Sequence, residues 1–194
     1  MRQNFEAVRG YRDALMSAIK RECSVGWIFR LWSRFIKSRD SHRCVCCEST
    51  HRIQAHHIVR KVLYPWGAFE TGNGITLCSN CHKSIHAQFN RRPDVSLPLG
   101  AENGDDQDEW AFLFGLLRDD AVLRGIDEDE FYFIGDNMLR FFVSVQGYKE
   151  LYEMVQDKKI SRICCAHEMW RVMPECFYKN LADNIFSLNK LNYK

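Results

Sequence analysis

Residues 72–86 read Gly72-Asn73-Gly74-Ile75-Thr76-Leu77-Cys78-Ser79-Asn80-Cys81-His82-Lys83-Ser84-Ile85-His86. Asn73 between two glycines is a turn residue. Cys78-x-x-Cys81 follows, and a helix starting at Cys81 sets His82 and His86, at i and i+4, on one face. Upstream, Arg43-Cys44-Val45-Cys46-Cys47-Glu48 supplies a second Cys-x-x-Cys pair, with 30 residues between Cys47 and Cys78. Two such knuckles present four thiolates in a tetrahedron, the arrangement of a closed structural zinc site. Cys46 lies inside the first knuckle and is an alternative to Cys47, although the spacing favours Cys44 and Cys47. A short ββα element fits between and after the pairs. So small a module with few large apolar residues needs a metal staple to fold. Cys23, Cys164, Cys165 and Cys176 show no comparable pairing. Cys164, Cys165, His167 and Cys176 match no usual ligand spacing and are expected to be helix residues.

The same stretch carries the ingredients of phosphodiester hydrolysis. That reaction needs a base for water and a cation to hold the phosphate. Imidazole is the side chain able to act as a neutral base near neutral pH. His82 and His86, joined by a third imidazole from a neighbouring strand, make a metal site open on one side. Taken with Ala55-His56-His57-Ile58, the pattern resembles the cysteine-containing branch of the HNH endonucleases, the ββα-metal nucleases. The resemblance covers about 50 of the 194 residues. It implies His57 as general base, His56 as the strand ligand, and His82 and His86 as helix ligands of a catalytic Mg²⁺ or Mn²⁺. It also implies Asn73 as the central Asn that holds its loop by hydrogen bonds, and Cys44, Cys47, Cys78 and Cys81 as ligands of a structural Zn²⁺. One geometric difficulty attaches to the pair: adjacent strand residues point to opposite faces, so His56 is the least secure ligand.

Outward from this core, charge is unevenly distributed. Residues 1–93 hold 16 Lys/Arg against 6 Asp/Glu, and residues 94–194 hold 11 against 19, behind an overall net charge of +2. A basic half suits a polyanion, because Lys and Arg neutralise phosphates. Arg30, Arg34, Arg52, Arg60, Lys61, Arg91 and Arg92 are the expected nucleic-acid contacts, with double-stranded DNA the expected partner. The acidic half is expected to pack away from the nucleic acid or to meet a protein partner. Tyr64 and Trp66 are expected to pack in the segment between strand and Asn73, with base stacking the alternative.

The spacing of apolar residues predicts helices over 3–22 and 27–37, then mostly helix from Glu109 onward (110–123, parts of 130–156, and 160–188). Within the last region, 130–147 is compatible with strand. Arg91 to Asp108, rich in Pro, Gly and acid, reads as a linker. The expected organisation is a basic helical extension (1–40), an HNH domain (41–90), a linker (91–108) and an acidic, mostly helical domain (109–194). The expected class is α+β, a zinc-stapled ββα-metal core with helical extensions. No apolar run is long enough to span a membrane, and the charged N-terminus lacks a signal-peptide apolar region, so a cytoplasmic protein is expected. The expected function is a metal-dependent HNH endonuclease. The alternative is a zinc-ribbon module that binds nucleic acid or a partner without cutting.

Overall fold

The computed structural model describes residues 5–87, 94, 97 and 101–175. The chain is α+β and mostly helical: α1 (Phe5–Lys20), α2 (Val25–Arg39), β1 (Ile53–His57), β2 (Gly74–Cys78), α3 (Ser79–Ile85), α4 (Gln107–Arg124), α5 (Glu128–Phe131), α6 (Asp136–Gln146), α7 (Lys149–Gln156) and α8 (Arg162–Arg171). β1 and β2 pair antiparallel, with Ile53 opposite Cys78 and His57 opposite Gly74. Among the described residues no helix is long and apolar enough to cross a membrane.

Helix ends follow capping chemistry. Asp106 starts α4 by accepting from the Asp108 N–H, Asp127 starts α5 and Ser161 starts α8 in the same way, each satisfying a donor the helix leaves open. α4 stops at Gly125, whose φ of 61° is the left-handed conformation glycine adopts most cheaply. Within 130–147, α5 ends at Phe131 and α6 takes up Asp136–Gln146, so most of the stretch is helical and none of it is strand. Gly135 N-caps α6, and Met138, Leu139, Phe142 and Gln146 fall on one buried face, a 3.6-residue repeat masked in sequence by the neighbouring aromatics. The preceding Tyr132–Gly135 stretch does pair with backbone: Gly72 N–H donates to Phe133 O at 2.8 Å, and Phe133 N–H donates to Thr71 Oγ1 at 2.9 Å. A side chain at Gly72 would collide with Tyr132 O and Ile134, so the glycine is required by close approach.

The core is continuous, running from Val8 and Leu15 through Trp32, Phe35 and Ile75 to Trp110, Phe142 and Trp170. Residues before and after the 91–108 stretch therefore share one core. Buried charge joins the halves too. Arg39, fully buried, donates to both Asp40 oxygens and to Thr71 O and Gly74 O, and its guanidinium lies 4.1 Å from the Tyr132 ring centroid. Asp40 also accepts the Thr76 N–H at 2.8 Å. A buried ion pair is tolerated when its remaining hydrogen-bonding groups are satisfied, and here they anchor β2 to α2. Arg124 of α4 donates to Arg39 O at 2.7 Å and to the Tyr132 hydroxyl at 2.8 Å.

Candidate metal centres and the histidine pair

Cys44, Cys47, Cys78 and Cys81 converge, with their four sulfur atoms all within 4.8 Å of one another. Cys44 is buried in the turn after α2, where Val45 N–H donates to Thr76 O at 2.9 Å and so fixes the first knuckle against β2. Cys78 closes β2 and caps α3, its sulfur accepting the Cys81 N–H. That hydrogen bond draws the Cys78 thiol down to about 7. Burial, followed by the crowded neighbouring thiols, drives Cys81 strongly upward. Four thiolates at this separation repel one another and need a cation between them. The set fits a tetrahedral Zn²⁺. Cys46 is exposed and outside the cluster, so Cys47 is the knuckle's second ligand candidate.

A second group lies on the same unit. His56 of β1, His82 of α3 and His86 just after it bring one ring nitrogen each within 4.8 Å of the others. The rings meet edge to face, with centroids 4.7–5.0 Å apart. Burial holds all three imidazoles below their ordinary pKa, His56 the furthest, with His82 and His86 adding repulsion there. Neutral imidazole is the ligand form. His56 Nε2 is buried without a hydrogen-bond partner, a costly state in protein interiors and one that a metal ion would relieve. The i, i+4 spacing and the strand neighbour thus form a three-nitrogen pocket.

Strand alternation sends His57 the other way. Its ring stacks on Trp32 of α2, with centroids 4.1 Å apart and planes 6° from parallel, and its edge meets Phe29. His57 is not part of the three-histidine group. Its Nε2 lies 2.9 Å from Ala68 O. A carbonyl only accepts, so Nε2 carries the hydrogen and Nδ1 keeps the lone pair. Burial lowers its pKa, although the Ala68 bond acts against this. Asn73, fully buried, fixes the loop that brings Ala68 there. Its Oδ1 accepts the Val59 N–H at 2.8 Å, and its Nδ2 donates to Val59 O at 2.9 Å and Gly67 O at 3.1 Å. A Cβ on the adjacent Gly74 would strike Trp32.

The basic residues divide into two sets. Arg30, Arg34, Arg52 and Lys61 are exposed. Arg30 and Arg34 lie over the rings of Trp27 and Tyr11, and Lys61 lies over Phe29, 4.5 Å from its centroid and on the His57 side of α2. Arg60 is instead committed to Asp105 by a two-pronged ion pair at 2.6–2.7 Å. Arg91 and Arg92 lie outside the described residues. Part of the charge asymmetry is internal pairing, because Arg9 and Arg12 bind Glu130 and Arg43 binds Asp120. Tyr64 is buried as expected, whereas Trp66 is 79% exposed. Cys164 and Cys165 lie on α8, Cys165 buried, and His167 is bound through Nδ1 to Ala111 O at 2.9 Å; Cys176 lies outside the described residues. Trp32, Ala68 and Asp105 take part in the site although no spacing singled them out. They reach it through tertiary contacts. No family model, curated protein or solved structure matches the chain.

Proposed function

We propose that this protein is a metal-dependent nuclease of the HNH type that hydrolyses phosphodiester bonds in nucleic acid. The observation that carries the reading is the convergence of His56, His82 and His86 around an unpartnered buried nitrogen, on a ββα unit stapled by four cysteines. His56, His82 and His86 would hold a divalent ion, which supplies charge stabilisation at the phosphate. An all-imidazole donor set suits Zn²⁺, Ni²⁺ or Co²⁺ better than Mg²⁺, so Mg²⁺ is expected to be the weaker of the tested ions and Mn²⁺ intermediate. His57 takes the proton of the attacking water at Nδ1, its ring held by the Trp32 stack and the Ala68 carbonyl. Asn73 acts through that carbonyl and positions His57. Lys61, exposed beside Phe29, is available to a phosphate oxygen.

The placement of the His57 ring on the α2 side, outside the three-histidine group, favours a second reading: a zinc-stapled module that binds nucleic acid without cutting it. Incubating supercoiled plasmid and, separately, RNA with full-length protein in Mg²⁺, Mn²⁺, Co²⁺, Ni²⁺ or Zn²⁺ separates the two. The nuclease reading expects cleavage that is lost in His82→Ala and His86→Ala and partly restored at raised metal concentration. Tight binding with no cleavage in any ion would establish the module reading in its place.

A further inference from the structure

The loop between β1 and β2 that supplies Ala68 to His57 also carries the most exposed aromatic side chain among the described residues. Trp66 is 79% exposed and Val62, four residues earlier, is 64% exposed. The loop is not slack. Tyr64 is buried and stacks on Phe141 of α6 with centroids 4.9 Å apart, Ala68 N–H donates to Pro65 O at 3.1 Å, and Gly67 O is held by Asn73. The indole meets only the Tyr64 ring, edge to face at 5.8 Å, among the ring contacts of the described residues. A rigid turn thus presents a large flat surface to solvent at the cost of its hydration. A single exposed apolar residue is ordinary; this one stands in a particular electrostatic setting. From Ser49 to Phe69 the chain contains no Asp or Glu, and neither does α2; with Arg39 and Arg60 taken up by Asp40 and Asp105, the two segments still carry Arg30, Arg34, Lys37, Arg52 and Lys61. The partner matched by that charge is a polyanion, and a polyanion with flat apolar faces is a nucleic acid whose bases are accessible.

We infer that Trp66 is a stacking platform for an unpaired nucleobase, so that the site favours a single-stranded or unstacked nucleotide beside the bond it cuts over continuous duplex. This rests on the nuclease reading and narrows its substrate. Two residues of chain span at most about 7 Å, so the Trp66 backbone lies close to Ala68, whose carbonyl touches His57. A base on Trp66 therefore belongs to a nucleotide near the scissile one. Bases inside a duplex have their faces covered by neighbours. An unstacked base offers a free face to the indole, and stacking of this kind tolerates any base identity.

The test uses the full chain with Trp27→Phe as background, since Trp27 is the other exposed indole and Trp32, Trp110 and Trp170 are buried. Tryptophan fluorescence is titrated with a short oligodeoxythymidylate and with a blunt duplex of equal length, without added divalent ion. Stronger quenching by the single strand is expected. Adding Trp66→Ala should remove it and weaken single-strand binding about 5- to 150-fold, whereas Trp66→Phe should retain most of the affinity. Unchanged single-strand affinity in Trp66→Ala overturns the inference. So does a change in sedimentation of Trp66→Ala without a change in strand affinity, which would assign the indole to a second copy of the chain. If wild type still cleaves plasmid in either case, the nuclease reading stands and only the stacking role falls. If wild type neither binds nor cleaves, the nuclease reading falls first.

Discussion

Replacing His57 by Ala and by Phe separates its two roles, structural and chemical. In the folded chain the imidazole stacks on Trp32 at 4.1 Å and donates to the buried Ala68 carbonyl. The stack contributes about 0.5–1.5 kcal/mol beyond area burial, and a buried carbonyl left without its donor costs about 1–3 kcal/mol. His57→Ala loses both and leaves a gap beside Trp32, for a total of about 2–5 kcal/mol. His57→Phe keeps the stack and loses only the hydrogen bond, about 1–3 kcal/mol. Both lack the proton acceptor, so both should cut about 10²–10⁴-fold more slowly. No metal concentration should rescue either, in contrast to the His82 and His86 variants. Urea unfolding gives the stabilities, and plasmid nicking in Mn²⁺ gives the rates. A His57→Phe protein that cuts at the wild-type rate, free of contaminating nuclease, refutes the assignment of the base. A His57→Ala protein as stable as wild type refutes the account of the stack.

Elemental analysis of protein purified without chelator should find at least one tightly held zinc per chain, with Cys44, Cys47, Cys78 and Cys81 protected from alkylation; absence of zinc with four freely alkylated thiols would count against the staple. Asn73→Ala removes three buried hydrogen bonds and should cost about 2–5 kcal/mol while lowering the cleavage rate through displacement of Ala68; wild-type stability in urea would contradict this. Burial raises the Glu70 carboxyl from 4.5 to about 7, although the Gly135 N–H that it accepts acts against the shift. Because the folded value is the higher one, the Glu70 contribution to stability is full below pH 4.5 and declines as pH rises to about 7. Glu70→Gln should flatten that part of the curve of stability against pH, and superimposable curves would exclude the effect.

The cysteine pairs and the His82–His86 spacing were legible because ligand geometry on a knuckle or a helix is fixed within a few residues. The difficulty over His56 and His57 was legible for the same reason: alternation along β1 sends one ring to α3 and the other to α2. The 130–147 stretch admitted both strand and helix, and only the Gly135 cap and the packing of α6 against the core decided for helix from Asp136 onward. Trp66 was expected inside because an aromatic in a short loop usually finds cover; here the adjacent Tyr64 takes the pocket against Phe141. The Arg60–Asp105 pair joins residues 45 positions apart, and no local pattern announces such a partner. The acid-rich stretch after residue 100 therefore read as linker although Asp105 is buried against β1's exit.

Trp32 and the Tyr132–Gly135 backbone have a practical consequence for anyone wishing to move this unit into another protein. The floor beneath His57 comes from α2, and the edge beside Gly72 comes from a segment some 60 residues further along the chain. Residues 41–90 excised as a cassette would carry both knuckles together with His56, His57, His82 and His86, yet leave Arg39 behind with its bonds to Thr71 and Gly74. Such a graft should still chelate zinc while its imidazole swings loose. A portable version has to begin at α2 and include either the C-terminal helices or a designed substitute for the wall they provide.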